Sequence, residues 1–351
     1  VFHDCPPTTS TFTLLLLFTL STFPAKTRKT SYQEITSETI TMSTTLQFAT
    51  LDVFTHTPYQ GNPLAIVLVP PKKQISETKL QTIAREFNIS ETVFLYLNED
   101  GDQTQEASHT AKVQEWRIRI YMTDCELPFA GHPTVGTAVY ALTHLNKINA
   151  TNARLHCPAG TIDVDFDAKS QTAKISIPHN VHLHTREKHT IEEIRRMQPG
   201  LTDDAQVKAF DVFSPVVGMS FLNVELASLE ALAAITPTPL KPTLKLDAGW
   251  DHGFGATLFY VKTGDGRVRT RMISGTLEDA ATGAASCGLA AMLTLKDKAA
   301  AVTTLRITQG VEMGRSSSIG VTTTLSEDRG DVQKIELFGT AVEVMKGSLR
   351  L

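Results

Sequence analysis

The pattern Gly131-x4-Gly136-x-Ala138 returns as Gly283-x4-Gly288-x-Ala290, and this repetition limits the fold more than any other feature of the chain. Each copy follows a strand-like run (Trp116–Tyr121 and Val268–Met272) and a short loop, and each opens a helix rich in Ala, Leu and Val. Small residues along a helix let surrounding strands approach closely, so such a helix suits the centre of a wrapping sheet. Repetition by chance is one reading, since glycines before helices are common. Gene duplication is the other. It predicts two similar domains, each around a buried helix, with two helix N-termini facing one another across a cleft. The first-turn N–H groups of a helix form a ready anion site.

The rest of the chain alternates strands with few helices. Leu46–Phe54 and Leu64–Val69 read as strands around the turn signal Gly61-Asn62-Pro63. Ser76–Phe87 has helical spacing, with Leu80, Ile83, Ala84 and Phe87 on one face and Ser76 as N-cap. Glu91 begins the β-rich run Val93-Phe94-Leu95, and Asn98–Lys112 reads as a hairpin loop. Val135, Val139, Leu142 and Leu145 continue the first glycine-opened helix. Short strands follow at Arg154–Cys157, Thr161–Phe166 and Lys174–Ile177, and the His-rich segment His179–Gly200, helical over Thr190–Met197, marks the crossing between halves. Strands at Ala209–Phe213, Met219–Glu225, Ala256–Lys262, Thr303–Thr308, Ser318–Thr324 and Lys334–Phe338 complete the second half, with short and long helices at Ser228–Ala234 and Gly283–Lys296. The expected division is a disordered extension over 1–45, one domain over 46–176 and a second over 177–351, the last strand returning to the first domain. Residues 1–41 read as an extension ahead of a start at Met42; a processed targeting segment is the rival reading. The apolar run Phe12–Phe23 is short for a membrane span.

Composition narrows the function classes. In 351 residues, 41% hydrophobic and 20% charged content fits a globular protein, and a net charge of −4 without a basic tract argues against a nucleic-acid partner. None of the four cysteines forms a CxxC pair, so a zinc knuckle is not expected, and their spacing shows no disulfide framework. A reducing compartment, the cytoplasm, is the default, and no metal site and no membrane attachment are expected. P-loop, G-x-G-x-x-G, H-E-x-x-H and G-x-S-x-G motifs are absent from the sequence.

Three residues carry candidate chemistry. His132 lies in the loop Phe129-Ala130-Gly131-His132-Pro133, at the start of a helix, where a neutral imidazole can donate to or accept from a substrate. Glu91 enters an apolar strand. Burial there raises a carboxyl pKa, as general acid/base work near neutrality requires; a solvated turn glutamate is the plain alternative. Asp279 precedes the second glycine-opened helix and reads either as ordinary capping chemistry or as a group that orients an amine or His132, while N–H groups near Gly283 bind a carboxylate. Cys287 reads as a small buried thiol. Asp52 and Asn62 read as structural residues near turns, and Arg315 as free to pair with a carboxylate.

Taken in order, Leu51-Asp52-Val53-Phe54, Gly61-Asn62-Pro63, Ser90-Glu91-Thr92-Val93-Phe94, Phe129-Ala130-Gly131-His132-Pro133-Thr134, Glu278-Asp279-x-x-Thr282-Gly283 and Gln309-Gly310-x-x-Met313-Gly314-Arg315 resemble the PhzF family of phenazine biosynthesis-like proteins. The resemblance implies an α+β, diaminopimelate epimerase-like fold of two pseudo-symmetric domains, each a barrel-like sheet around a central helix. It implies a cofactor-free isomerase, commonly a homodimer, acting on a small carboxylated molecule. It gives Glu91 the proton shuttle between carbons and gives His132 and Asp279 the polar groups of the substrate. Gly131, Thr282, Gly283 and Ala284 fall at the substrate-lining positions. Related epimerases carry two catalytic cysteines where this chain has Ala130 and Ala280, which disfavours two-thiol chemistry. Ala280, Ala284 and Ser316 depart from frequent family residues, and the missing hydroxyl at Ala284 puts the phenazine precursor in doubt as substrate. An epimerase or lyase on the same fold, or a non-catalytic binding homologue, stand as alternatives.

Overall fold

The computed structural model describes residues 45–99, 113–146, 148–250 and 253–351. The extension over 1–44 and most of the Asn98–Lys112 loop lie outside the described residues.

The elements fall into two series with the same order. The first is β1 (Thr45–Val53), β2 (Asn62–Val69), α1 (Glu77–Phe87), β3 (Thr92–Tyr96), β4 (Val113–Tyr121), β5 (Glu126–Leu127), α2 (Gly131–Tyr140), β6 (Asn152–Cys157), β7 (Gly160–Asp167), β8 (Thr172–Ser176) and β9 (His182–Leu183). After α3 (Ile191–Met197) the second series runs β10 (Val207–Val216), β11 (Met219–Leu226), α4 (Leu229–Ala233), β12 (Phe254–Lys262), β13 (Arg267–Ser274) and β14 (Leu277–Asp279). It continues with α5 (Gly283–Asp297), β15 (Val302–Gln309), β16 (Ser317–Leu325), β17 (Val332–Gly339) and β18 (Ala341–Arg350).

Pairing repeats with the order. β2 is parallel to β3, β3 antiparallel to β4, β4 parallel to β6, and β6, β7 and β8 continue antiparallel. β11 is parallel to β12, β12 antiparallel to β13, β13 parallel to β15, and β15, β16 and β17 continue antiparallel. The equivalent strands β8 and β17 pair with each other and join the two series into one continuous sheet. At the other edges the halves exchange strands. β9, which ends the first series, pairs with β10 of the second, and β18 returns to pair with β1.

Both glycine-opened helices are enclosed. Every residue of α2 from His132 to Tyr140 is buried, and α5 buries ten, among them Ala285, Cys287, Leu289 and Ala290. The two helices share one core cluster with Leu51, Ile66, Ile118, Leu155, Phe221, Leu258, Ile319 and Leu337. Each fully buried aliphatic side chain contributes about 1.5–3 kcal/mol. The outer helices behave differently. α1 shows water one face and buries Leu80, Ile83 and Ala84 against Leu46, Val67, Phe94 and Tyr121 on the outside of the first sheet. α3 and α4 cover the second sheet through Ile194, Met197, Ala231 and Leu232.

Local signals explain the ends of these elements. The Ser76 side chain accepts from Lys79 N, and Asn88 closes α1 in the left-handed region. Thr190 and Glu193 form a reciprocal capping box at α3. The expected continuation of α2 through Leu145 differs in detail: Ala141–Leu145 is a π-helical turn, which widens the helix and leaves Leu145 only partly buried.

Candidate active site

Glu91 is the residue before β3, and its carbonyl accepts from Ala65 N of the parallel strand β2, so two strands fix its backbone. Its side chain turns inward and is about 15% exposed. His132 is the second residue of α2 and is 6% exposed. His132 Nε2 lies 3.5 Å from Glu91 Oε2. Both atoms are buried without a hydrogen-bond partner among the described residues. Burial pushes the Glu91 carboxyl up from its ordinary range; the nearby His132 and a hydrogen bond from Ser90 pull it back in part, and the Asp279 charge adds to the rise.

Asp279 ends the three-residue strand β14, where successive side chains point to opposite faces. Glu278 therefore points away from Asp279. It makes a bidentate pair with the buried Arg271 at 2.7 and 2.8 Å, and Arg271 also donates to the carbonyls of Leu232 and Ala233. Asp279 faces the other way. Its Oδ1 accepts from Asn62 Nδ2 at 2.9 Å and its Oδ2 from Thr282 Oγ1 at 2.7 Å. Gln309, fully buried, donates to the Asp279 carbonyl and to Thr282 Oγ1 and accepts from Thr282 N.

Gly131 and Gly283 meet. A β-carbon built on Gly131 would lie 3.6 Å from the Gly283 α-carbon, and one built on Gly283 would lie 3.5 Å from the Gly131 α-carbon and from His132 N. Neither helix is capped by a side chain: the side chains of Ala130 and Thr282, the N-cap residues, accept nothing from their helices. Two positive helix ends with unsatisfied N–H groups thus converge beside Glu91 and His132. Ala284, in the first turn of α5, is half-buried against the core.

Arg315 does pair with a carboxylate. Its guanidinium donates to Asp52 Oδ1 at 2.5 Å and to the carbonyls of Gln60 and Gly61. Gly61 N in turn donates to the Ser316 carbonyl. These bonds clamp the turn before β2 to the loop after β15. Cys287 is fully buried, and burial alone pushes its thiol far up.

The sequence reading placed Glu91, His132, Asp279, Gly131, Thr282, Gly283 and Ala284 in one site, and the fold brings them to the meeting point of α2 and α5. It took Asn62 as a turn residue and assigned Gln309 no role. Their amides carry no titratable signature, and Asn62 reaches Asp279 across 217 positions. The only signal was that each sits in a glycine-marked motif.

Among the described residues, His182, His184 and Asp247 bring three metal-capable ligand atoms within 4.8 Å. They lie on β9 and the segment before Trp250, on other elements than Glu91, His132 and Asp279. Their donors are already engaged. His184 Nδ1 accepts from Asp247 N and its Nε2 donates to Ser214 Oγ, while Asp247 Oδ2 lies 2.8 Å from His182 Nε2 and its Oδ1 accepts from Arg186 N. A tetrahedral zinc site with 2.0–2.1 Å bonds holds its ligand atoms about 3.4 Å apart, so the His182–Asp247 pair would have to open and the wider contacts to close. As it stands the group is a hydrogen-bonded clasp that holds the approach to Trp250 against β9.

The family model for phenazine biosynthesis-like proteins (PhzC-PhzF) matches residues 51–347. The chain is 29% identical over 312 residues to the trans-2,3-dihydro-3-hydroxyanthranilate isomerase of Pseudomonas chlororaphis, covering 87% of this chain and 99% of that one. Among solved structures it resembles a PhzF-family phenazine biosynthesis protein of Bacillus anthracis, with a TM-score of 0.70 at 20% identity over 88% of this chain and all of the other. A hydroxyproline epimerase of Agrobacterium vitis shares the fold at a TM-score of 0.55 and 11% identity, over 88% of this chain and 93% of that one. The α+β, epimerase-like fold expected from the motifs is the one observed, no described helix is long and apolar enough to cross a membrane, and the chain belongs to the PhzC-PhzF family of phenazine biosynthesis-like proteins and is an isomerase.

Proposed function

We propose that Glu91 is the general acid/base of a cofactor-independent isomerisation that moves a proton between two carbons of a small carboxylated metabolite. The observation that carries this reading is the facing pair Glu91 Oε2 and His132 Nε2, both buried and both without a hydrogen-bond partner among the described residues, at the meeting point of two helix N-termini that no side chain caps. The ionised Glu91 takes a proton from a substrate carbon. The electron pair left behind shifts the double bond, and the same carboxyl returns the proton to another carbon. The converging N–H groups of Gly131, His132, Gly283 and Ala284 hold the substrate carboxylate. His132 and Asp279, with Thr282, hold its remaining polar groups. A homodimer in the cytoplasm, with 46–176 and 177–351 as its two domains, completes the proposal.

The substrate class is amino-acid-like or dihydroaromatic. The first compound to assay is trans-2,3-dihydro-3-hydroxyanthranilate, named for the Pseudomonas relative. Ala284 leaves the first turn of α5 without a hydroxyl there, so related carboxylates that lack a matching polar group are assayed beside it. Product formation is followed by NMR in deuterated buffer. Wild type is expected to convert one of these compounds with partial retention of the original hydrogen, and Glu91→Gln to lose about 10²–10⁴ in rate. Undiminished turnover by Glu91→Gln sinks the assignment. Inversion at a single carbon in place of a shifted double bond would instead place the same base in an epimerase.

A further inference from the structure

The Asp279 carboxylate is held from two sides by neutral donors of different origin. Thr282, which binds Oδ2, belongs to the same loop. Asn62, which binds Oδ1, is the first residue of β2 in the other half of the molecule. Asn62 is 2% exposed and uses Nδ2 twice, donating to Asp279 Oδ1 and to the Ala281 carbonyl, both at 2.9 Å. Its backbone is not free to move. Asn62 pairs with Val53 in the β1–β2 register, and Gly61 before it sits at φ +70°, where a β-carbon would come within 2.3 Å of the Val53 carbonyl oxygen. The Arg315 guanidinium then anchors Gly61 and Gln60 through their carbonyls. One amide therefore connects a rigid turn of the first half to both the carboxylate and the chain path that leads into α5.

We infer that Asn62 is a positioning residue: by fixing Asp279 and the Ala281 carbonyl from across the molecule, it sets how close the Asp279 charge lies to Glu91 and where the N-terminal turn of α5 points. Aspartate at this position would put a second carboxylate on Asp279 Oδ1, and a shorter side chain would leave Oδ1 and the Ala281 carbonyl without their donor. The inference rests on the reading of Glu91 as the acid/base group.

The test is a double-variant cycle read on Glu91 itself, in the substrate-free protein. Glutamate labelled with ¹³C at the carboxyl gives the Glu91 titration midpoint by NMR, assigned by its loss in Glu91→Gln. The charged groups that act on it are His132 and Asp279. Asp279→Ala is expected to lower the midpoint, and Asn62→Ala to lower it in the same direction, because a released Asp279 is free to turn away from Glu91. In the Asp279→Ala background, Asn62→Ala is expected to add nothing. Asn62→Leu, close in volume but without a donor, serves where Asn62→Ala is poorly folded by circular dichroism. A folded Asn62 variant whose Glu91 midpoint stays within about 0.2 unit of wild type overturns the inference. So does a shift that adds in full to that of Asp279→Ala, since contacts acting through one another are not additive. With substrate, kcat/KM is expected to fall about 10- to 100-fold in Asn62→Ala. An unresponsive midpoint leaves the Glu91 assignment standing, whereas undiminished turnover in Glu91→Gln removes that assignment and leaves the coupling measurable.

Discussion

Gly131 and Gly283 touch α-carbon side to α-carbon side, with no side chain between them and the Leu337 methyl group closing the gap from β17. Two helix N-termini are brought this close despite the like sign of their partial charges. The glycines make the approach sterically open, and an anionic ligand at the junction would offset the repulsion. The carboxylate binding proposed for the site would thus be a property of the backbone before any side chain is considered.

Gly131→Ala tests that contact. Its β-carbon would fall 2.8 Å from Leu337 Cδ2, well inside van der Waals distance. A loss of about 1–3 kcal/mol in urea unfolding is expected, with partial recovery when Leu337→Val makes room. Full stability in the single variant would show that the Leu337 side chain yields without cost.

Glu91→Gln is expected to raise stability while it removes activity. The folded-state pKa of Glu91 lies above its unfolded value of 4.5. The folded protein therefore binds more protons than the unfolded chain between the two values, and stability falls as pH climbs through that window. Below about pH 4 the variant and wild type are expected to melt together. Above that window, where wild type must ionise a buried carboxyl, the variant is expected to melt higher. The rate of wild type should rise with pH through the same raised value, because the base form does the work. Thermal melts at the two pH values and a pH–rate profile check both.

The Asp52–Arg315 clamp joins residues 263 positions apart, with Asp52 4% and Arg315 about 28% exposed. Removing Arg315 leaves a buried carboxylate without its partner. A cost of about 1–3 kcal/mol is expected for Arg315→Ala, lower than for a fully buried pair because the guanidinium is partly solvated. Arg315→Lys is expected to recover little, since a lysine offers no second planar donor to the Gly61 carbonyl. Chemical denaturation of the three proteins decides.

Cys287→Ala is expected to keep turnover within about twofold, because the thiol is enclosed and its deprotonation is strongly opposed. Thiol-modifying reagents should leave Cys287 untouched in the native protein, read by peptide mass mapping. A large loss of rate in this variant would revive thiol chemistry for the site.

The repeat, the strands, the outer-helix caps and the titratable trio were legible because each leaves a local mark. Glycine precedes both inner helices, Ser76 and Thr190 cap the outer ones, and Glu91 interrupts an apolar run. What stayed hidden was relational. Arg315 announced a carboxylate partner but not Asp52. Asn62 read as turn chemistry because an amide bonds whatever the fold brings to it. β18 escaped the pattern for a different reason. Its first half grades from buried to exposed, with Met345 at 59% exposure, and only the last four residues alternate, too short a run for a periodicity argument.

The exchange of β9 and β18 has a kinetic side. Thr45 and Arg350 are register partners, so the first described strand finds its outer neighbour only in the last one. A chain emerging from the ribosome cannot complete the β1 edge until residues 341–350 have been made, and β1 must wait with an open edge that invites association with other chains. The same adjacency offers a remedy. A circular permutant that links these two ends through a short turn and opens elsewhere would convert the slowest contact of the molecule into a hairpin, and it should refold faster and aggregate less than the natural order.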